Sequence, residues 1–437
     1  MEDCLSKVVE AVSEILANAV CGEEKFVDRM NGVDARLKEA LREIGRRAVE
    51  TIYEKAVAIV AEESKEKGLQ VQRRSKVIFH TIFGAIDVES TYLWNSKTHE
   101  TARPAKTKLN VTHHGRSQAV ERALTDFGAE ESFGNAAKRI HEHYGFEIDR
   151  TSVLRVVESI AEEAEAYVDN KLKEARKEFE KPTLQRRGVE RILVEFDGGE
   201  IRTGKLVAAP ELGKTEVYKN EKRRRDTAWR DVRMGLARPL DELQPTYVGK
   251  LASYPEVIGQ LFDASCLRGL SQDTKVIACT DGGNGIREEI ETQFSNVQYV
   301  LDRCHMKSHL YETADAMGLE ETPRENWVAL QMARLHEGDV QLVLDSLSTH
   351  KGRGKHSAET LHGYLTRFKD AVSYDAFSKD GLPIGSGEIE SAHRSIPQKR
   401  LKLPGAWWNE STINPMLNLR ILRANDWWDD FWAQRAA

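Results

Sequence analysis

Apolar residues recur every three or four positions through the first part of the chain, the spacing that places them on one face of a helix. The repeat is clearest between Asp34 and Lys67, where its members are Leu37, Leu41, Ile44, Ala48, Ile52 and Ala56. The pattern predicts that residues 1–68 form helices. Such a region is either a plain scaffold or a surface through which two copies of the chain associate, and the pattern is compatible with both.

The apolar period then shortens to two, as in half-buried β-strands. Lys76–Ile82 and Ile86–Trp94 both alternate in this way, and Phe83-Gly84-Ala85 separates them. Two alternating runs joined by a short glycine-containing segment predict a β-hairpin.

Residues 115–168 return to the helical spacing and predict three helices. Ser132 can cap the second of these helices, because a serine hydroxyl accepts a hydrogen bond from the first turn. Tyr144-Gly145-Phe146 is expected to end that helix, and Thr151-Ser152 to begin the third.

Two helices joined by a short turn are typical of a helix-turn-helix, whose second helix reads DNA, although plain helix pairs share the pattern. Arg150 and Arg155 would lie near the start of that recognition helix and contact DNA. The charged run from Glu162 to Arg187 then predicts a solvated connector helix.

From Arg191 the pattern becomes that of a mixed α/β layer. The predicted strands are Ile192–Phe196, Trp229–Leu236, Thr246–Leu251, Thr274–Thr280 and Val297–Leu301, with a helix over Gly285–Gln293. Residues 310–380 predict helices and no strand. This helical block separates the strands from the last acidic motif.

Two of the predicted strands end in Asp-Gly-Gly, at Asp197 and Asp281. Glycine permits unusual backbone angles and close approach of a ligand, and ligands of open α/β sheets bind at the carboxyl ends of strands. Two carboxylates placed there suit hard cations such as Mg²⁺ or Mn²⁺. The same tripeptide also forms ordinary turns, so the motif alone leaves both interpretations open.

A third acidic motif, Pro383 to Arg394, opens a helix with a Gly-Ser-Gly turn and carries Glu388 and Glu390. Residues two apart on a helix do not face the same way, so only one of the two is expected to face the aspartates. Acids at a helix start also stabilise the helix itself. Three carboxylates on separate elements suit two-metal phosphoryl transfer, in which the ions lie about 3.5–4 Å apart.

Composition restricts the function classes. The chain has 437 residues and a formal net charge of −6, which counts against coating nucleic acid by overall charge but not against local basic surfaces. No apolar stretch is long enough to span a bilayer, and no signal peptide is apparent, so we expect a cytoplasmic protein. The five cysteines are scattered and form no CxxC pair, so no zinc site is predicted.

Basic and aromatic residues cluster at three places, each of which could equally be a solvated loop or a packed surface. We expect DNA contacts from two basic runs, Lys222, Arg223, Arg224 and Arg225, and His393, Arg394, Lys399, Arg400 and Lys402. The C-terminal tryptophans are expected to pack the last helices, with the alternative that Trp407 or Trp408 stacks on an unpaired base.

In this order, the motifs resemble those of bacterial insertion-sequence DDE transposases of the ISKra group. The resemblance extends over about Val77 to Trp432 and rests on IFGAIDVESTY, SFGNAAKRIHEHYG, FDGG, TDGGNGI, VQYVLDRCHMKSHL, LHEGDV, GLPIGSGEIESAHR, RLKLPGAWW and MLNLRIL. No single motif is specific, but their order and content together are.

The resemblance implies a multidomain α+β protein in which helical N-terminal and helix-turn-helix regions precede a ribonuclease-H-like mixed α/β core, interrupted by an all-helical insertion. We expect a helical region over 1–70, the hairpin region over 71–112, the helix-turn-helix and connector over 113–188, the first part of the core over 189–310, the insertion over 311–380, and the last part of the core over 381–437.

The resemblance also implies site residues. It makes Asp197, Asp281 and Glu390 the catalytic, metal-binding triad, with Mg²⁺ as cofactor and Mn²⁺ as a substitute, and leaves Glu388 in a variable position. Supporting roles are expected for Asp302, His305, Glu388 and Arg394. The chain departs from the family where Trp94-Asn95-Ser96 replaces a cysteine pair, which again predicts no zinc. Pro397 is expected to kink or end the glutamate helix.

The implied function is cleavage of DNA at the terminal inverted repeats of an insertion sequence, followed by joining of the 3′-hydroxyl ends to target DNA. The expected partners are double-stranded DNA and further copies of the chain, as a homodimer or higher oligomer, in a nucleoid-associated cytoplasmic location. One alternative is a decayed or domesticated transposase that only binds DNA. Another is a glycosidase with paired carboxylates, which needs no divalent metal.

Overall fold

A computed structural model describes residues 9–10, 12–14, 32–66, 68–181, 188–209 and 223–436. Lys222 and much of the predicted N-terminal helical region lie outside these residues. The described chain divides into two compact units, one up to Val157 and the other over Glu158–Arg435. Among the described helices, none is both long enough and apolar enough to cross a membrane.

The first unit packs a long helix against a small sheet. It contains helix α1 (Val33–Glu66), strands β1 (Gln70–Thr81), β2 (Gly84–Trp94), β3 (Thr101–Ala102) and β4 (Gly115–Arg116), and the short helix α2 (Pro104–Leu109). The strand order is β3-β2-β1-β4. Its core contains Val57, Phe79, Ile86, Val88, Ala105 and Val111.

The predicted hairpin is confirmed, with a tighter turn than expected. Thr81 pairs with Gly84, which leaves Ile82 and Phe83 as the whole loop. A Cβ on Gly45 would lie 2.3 Å from the Phe83 ring, so this glycine lets helix α1 accept the loop.

Helix α1 confirms the predicted helical spacing, but much of the predicted apolar face is not in the core. Leu37, Leu41 and Ile52 are 43%, 53% and 61% exposed, whereas Val57 and Val60 are buried. The helix therefore has two apolar faces, because one covers the sheet and the other is exposed in this structure.

The three helices predicted over 115–168 are confirmed as α3 (Gln118–Glu130), α4 (Phe133–Tyr144) and α5 (Arg150–Glu180). The Ser132 hydroxyl accepts from the Asn135 backbone as predicted, and Gly145 ends α4 with φ +71°. Asp149 caps α5 by accepting from the backbone amides of Thr151 and Ser152. The predicted connector, Glu162 to Arg187, forms the later turns of the same helix as far as Glu180, and its residues 182–187 lie outside the described residues.

The second unit is built on a mixed five-stranded sheet of order β7-β6-β5-β8-β9. Its strands are β5 (Arg191–Ala208), β6 (Arg223–Pro239), β7 (Thr246–Lys250), β8 (Lys275–Thr280) and β9 (Val297–Leu301). Strands β5, β8 and β9 are parallel, and β6 is antiparallel to both of its neighbours. Helices α6 (Tyr254–Leu267) and α7 (Ile286–Gln293) complete the alternating segment.

The expectation that a strand ends at Asp197 is wrong. Gly198 and Gly199 pair with Arg233 and Val232, and the β5–β6 ladder continues to the pair Ala208–Arg223. An antiparallel partner supplies hydrogen bonds beyond the point where β8 stops, so the glycines do not break the strand. Strand β8 does end immediately before Asp281, as predicted.

The predicted helical block is confirmed in the described residues. It comprises α8 (Arg303–Met317), α9 (Glu321–Glu337), α10 (Val340–Ser348), α11 (Lys355–Arg367) and α12 (Tyr374–Lys379). The C-terminal segment comprises α13 (Gly387–His393), a π-helical turn (Arg394–Gln398), α14 (Lys399–Leu401), α15 (Glu410–Ala424) and α16 (Trp428–Ala436).

Pro397 lies inside the π-helical turn, and the helical path continues to Leu401. The expectation was that Pro397 kinks or ends the glutamate helix; the helical path does not end there, but its regular α winding stops at His393 and gives way to the π-helical turn. Proline has no N–H to donate, and a local change from α to π winding is one way in which a helix accommodates an irregular hydrogen-bond pattern. The tryptophans Trp408, Trp428 and Trp432 are buried, which agrees with a packing role for them.

Candidate active site

Asp197, within β5, and Asp281, the first residue after β8, follow the last residue pair of two neighbouring parallel strands. The last residue pair of β5 and β8 is Phe196–Thr280, so each aspartate is the next residue along its chain. Burial raises the pKa of the Asp197 carboxyl, and the negative charge of Asp281 adds to that rise. The sheet thus brings together two carboxyl groups that are 84 positions apart in sequence (281 − 197).

The glycines after the two aspartates have different roles. Gly282 has φ +74°, and a Cβ there would come within 2.5 Å of the Tyr364 hydroxyl. A Cβ on Gly199 would lie 2.9 Å from Nδ1 of His393, whereas a Cβ on Gly198 would meet nothing within 4 Å. Two of these glycines therefore permit close packing, and the third leaves open space beside Asp197.

The two candidate glutamates face different partners. Glu388 forms a bidentate ion pair with Arg238. The arginine Nε donates to Glu388 Oε2 at 2.9 Å, and its Nη2 donates to Oε1. Glu390 Oε1 lies 3.6 Å from His305 Nε2. His305 is also near enough to Asp197 to lower the pKa of that carboxyl, against the larger effect of burial. This arrangement favours Glu390 as the third acid and assigns Glu388 to holding its helix against β6.

Asp302 connects the strand that precedes Asp281, the start of α8 and the turn that precedes Glu390. Its carboxylate accepts from the backbone N–H of His305 at 2.7 Å and from the backbone N–H of Ser386 at 2.6 Å. Its own backbone N–H donates to the carbonyl of Thr280. The side chain is buried, so these hydrogen bonds are shielded from water. Asp302 thus positions both His305 and the Gly-Ser-Gly turn.

His393, grouped by sequence with the basic residues, is not at the surface. It is buried beside Asp197, where its Nε2 lies 3.2 Å from the Asp197 carbonyl and 3.7 Å from Oδ2. Burial lowers the pKa of His393 more than the nearby aspartate raises it. The imidazole therefore acts as a neutral donor to the strand. Its position three residues after Glu390, on one helix face, was the signal available in the sequence.

Sequence reasoning also missed Glu195. This side chain is buried two residues before Asp197 and accepts from the backbone N–H of Ile389 at 2.8 Å. Burial raises its pKa to about 8. The signal was a single acid inside the apolar run Ile192-Leu193-Val194-Glu195-Phe196.

The helical block contributes a further missed residue. The Tyr364 hydroxyl donates to the backbone carbonyl of Asp281 at 2.7 Å. Arg367, on the same helix, donates to the Asn284 side chain at 3.1 Å. These contacts fix the loop that carries the second aspartate against α11.

The predicted DNA-contacting residues divide by exposure. Arg400 and Trp408 are buried, with the guanidinium carbon 4.8 Å from the ring centre, and burial lowers the pKa of Arg400 to about 10. These two residues belong to the core rather than to a surface, which corrects the expectation that they contact DNA. The exposed predicted residues are Arg150, Arg155, Arg223, Arg224, Arg225, Arg394, Lys399 and Lys402. Trp407 is partly exposed beneath Arg225.

The donor set has the chemistry of a divalent-cation site, because Asp197, Asp281 and Glu390 offer oxygens and Gly198 leaves space beside them. In the described part of the chain, however, no three His, Cys, Asp or Glu side chains already converge on one point. Asp197 and Glu390 each have a histidine nearby instead, at 3.7 and 3.6 Å. The donor atoms are therefore of the kind that a hard cation takes, whereas the described side chains do not form a ready-made metal site.

Comparison with known proteins gives limited information about function. A solved structure with a similar outline is the Drosophila P element transposase strand transfer complex, at 9% identity, covering 73% of this chain and 94% of that one. Its TM-score is 0.34, and a likeness this weak carries no argument about fold or activity.

The chain is also similar in sequence to a family of uncharacterised proteins. Residues 27–203 match an uncharacterised protein family, UPF0236. UPF0236 proteins of Caldanaerobacter subterraneus subsp. tengcongensis are also similar. One is 24% identical over 90% of this chain and 78% of its own length, and another is 27% identical over 90% and 77%. The chain is therefore similar, over most of its length, to members of UPF0236.

Proposed function

We propose that this protein is a DDE transposase of the ISKra type, which cuts DNA at the ends of an insertion sequence and joins the 3′-hydroxyl ends to target DNA. The observation that carries the proposal is the gathering of Asp197, Asp281 and the Glu390 helix at one edge of the mixed sheet. The strand order, with one antiparallel strand beside parallel ones, is that expected of a ribonuclease-H-like core. The helical block between β9 and Glu390 corresponds to the expected insertion.

Asp197, Asp281 and Glu390 would hold divalent cations, which supply Lewis acidity to the attacking and leaving oxygens of a phosphodiester. The protein's own contribution is positioning. His393 holds the Asp197 backbone, Tyr364 holds that of Asp281, and Asp302 holds the turn before Glu390. An active site fixed in this way needs little reorganisation when charge develops on the phosphate.

The remaining parts of the proposal concern DNA and assembly. Helix α5 would act as the recognition helix, with Arg150 and Arg155 exposed near its start. Two element ends must be held together during strand transfer, so we propose at least a homodimer, acting on DNA in the cytoplasm. A basic chain overall is not needed, because phosphate contacts are local.

The test is cleavage and joining of labelled DNA that contains the sequence flanking the gene, with Mg²⁺ or Mn²⁺. We expect metal-dependent products that fall at least a hundredfold, an order of magnitude typical of losing a catalytic group, in Asp197→Asn, Asp281→Asn and Glu390→Gln. Glu388→Gln is the matched control. It should keep most of the activity and lose about 1–2 kcal/mol of stability, because Arg238 loses a charged partner.

Products that persist in both aspartate variants would contradict the triad. Loss of activity in Glu388→Gln but not in Glu390→Gln would exchange the roles of the two glutamates. DNA binding with no cleavage under any metal would favour the decayed, DNA-binding alternative.

A further inference from the structure

The β5–β6 ladder extends well beyond the active site as a two-stranded arm. We call Arg202–Ala208 together with Arg223–Trp229 the basic arm. Beyond Asp197 the ladder runs for eleven further pairs, from Gly198–Arg233 to Ala208–Arg223. Strand β7 pairs with β6 only over Arg233–Ala237, so the described part of the arm has no strand on that side.

One face of the basic arm combines exposed arginines with exposed apolar side chains. Residues directly opposite in an antiparallel ladder share a face, and Arg202 is opposite Trp229 while Leu206 is opposite Arg225. Trp229 and Leu206 are 56% and 53% exposed. Exposed apolar side chains grouped among cations on one face, rather than scattered singly, are typical of a surface that contacts a partner.

Trp407 extends the same face. A Cβ on Gly204 would lie 2.9 Å from the Trp407 ring, so the indole packs closely against the strand at that glycine. The guanidinium carbon of Arg225 lies 5.5 Å from the ring centre. The face therefore presents two aromatic rings, Trp229 and Trp407, among Arg202, Arg223 and Arg225.

The charge of the basic arm is opposite to that of the whole chain. Its described residues include Arg202, Lys205, Arg223, Arg224 and Arg225 against the single acid Asp226, whereas the chain carries a net charge of −6. A positive ribbon on a negative protein attracts a polyanion locally, and the attraction is strongest at low salt.

We propose that the basic arm binds an unpaired DNA strand, with the Trp229 indole stacked on a base and the arginines on the phosphates. An aromatic platform between cations is the arrangement that holds single-stranded nucleic acid, because an unpaired base exposes its π-face. A duplex hides those faces and would use the arginines alone. The proposal rests on the proposed function only for the source of the strand, which is the DNA separated at a cleaved end.

The test measures binding without divalent metal, so it does not depend on cleavage. A fluorescein-labelled oligothymidylate and a mixed-sequence duplex of equal length are titrated with the full chain in EDTA. The variants are Trp229→Ala, Trp229→Phe, Arg223→Ala and Arg225→Ala. The controls are Leu243→Ala, which removes an exposed apolar side chain elsewhere in the same unit, and Lys379→Ala, which removes an exposed cation.

We expect Trp229→Ala to bind the oligothymidylate about tenfold more weakly, while Trp229→Phe keeps most of the affinity. Duplex binding should hardly change in either variant. Each arginine variant should weaken binding of both DNAs and lower the salt slope for the single strand by about 0.7. The controls should match the wild type in affinity, and all variants should match it in melting temperature.

Unchanged affinity of Trp229→Ala for the oligothymidylate would overturn the proposal. Equal losses of Trp229→Ala on both DNAs would assign the basic arm to duplex and overturn the proposal as well, as would losses of the same size in the control variants. A protein that cleaves DNA but fails this test leaves the proposed function intact. A protein that passes this test but never cleaves DNA would support the proposal for the basic arm and contradict the proposed transposase activity.

Discussion

At the scale of single residues, the most informative group is the buried carboxyl of Glu195, which is not one of the three proposed metal-binding acids. Glu195 lies inside the core of the second unit and receives a hydrogen bond from Ile389, in the helix that carries Glu390. Burial raises its pKa from 4.5 to about 8, with the nearby Glu388 and Arg238 acting in opposite directions. Between those two pH values the folded protein binds a proton that the unfolded chain releases.

This difference predicts a pH-dependent stability. As pH rises from 4.5 toward 8, the free energy of unfolding should fall by up to about 1.4 kcal/mol per pH unit, because the folded state retains the proton of Glu195 and the unfolded state releases it. Glu195→Gln removes the titrating group and keeps an oxygen for the Ile389 amide. The free energy of unfolding of Glu195→Gln, relative to that of the wild type, should therefore increase as pH rises from 4.5 toward 8.

Urea unfolding at several pH values measures the effect, and Glu200→Gln, an exposed acid on the same strand, is the control. A stability difference that is constant with pH, or that grows toward acid, would show that Glu195 titrates normally.

Residue-scale geometry also separates two glutamates that the sequence could only rank. Glu388 and Glu390 belong to the same short motif, and a resemblance placed the third acid on Glu390. The ion pair of Glu388 with Arg238 gives a physical reason for the same choice. Arg238 comes from β6, 150 positions away, and no local pattern marks it as the partner.

At the scale of elements, the helical block contacts the loop that carries Asp281 through Tyr364 and Arg367. Tyr364 on α11 donates to the carbonyl of Asp281, and it packs where Gly282 has no side chain. His309, on α8, is in ring contact with Tyr364, with 4.8 Å between the ring centres. The block therefore positions the second aspartate as well as lengthening the chain.

Removal of this hydroxyl in Tyr364→Phe should lower stability by only about 1 kcal/mol, the usual worth of one hydrogen bond. The maximal rate of DNA cleavage should fall several-fold with little change in DNA affinity, because the loop that carries Asp281 loses a fixed position. Single-turnover cleavage at saturating DNA measures this rate.

Tyr374→Phe is a matched control, since the Tyr374 hydroxyl is buried without a hydrogen-bond partner among the described residues. Its removal should leave both stability and rate near those of the wild type. Equal rate losses in the two variants, or none in Tyr364→Phe, would exclude a positioning role for Tyr364.

At the scale of the whole molecule, helix α1 bears on assembly. Its sheet-facing positions include Val57 and Val60, while Leu37, Leu41 and Ile52 are exposed on another face. An exposed apolar stripe on a 34-residue helix is suited to contact a second copy of the chain.

We therefore expect the wild type to be dimeric and Leu41→Glu/Ile52→Glu to be monomeric, because two buried charges would have to be desolvated at the contact. Light scattering coupled to size exclusion measures the mass, and Leu243→Glu provides a charge-matched control at an exposed site. A monomeric wild type, or a dimeric double variant, would contradict an interface on α1.

The sequence alone predicted most of the local elements and the candidate acidic residues. The hairpin, the three helices after it, strands β8 and β9 and the helical block all follow from apolar periodicity, which depends on neighbouring residues only. Asp197 and Asp281 were recognisable because each follows a strand-like apolar run and precedes two glycines, whereas Glu390 was chosen over Glu388 through the resemblance. The resemblance to known motifs was what grouped the three acids into one predicted site.

Tertiary structure decided what depends on partners distant in sequence. Strand β5 continues past Asp197 because β6 supplies its hydrogen bonds, although Gly198 and Gly199 locally suggest a turn. Burial of His393 and Arg400 depends on packing against β5 and Trp408, and charge alone placed both at the surface. A local pattern records which face of an element is apolar, but the element that covers that face comes from elsewhere in the chain.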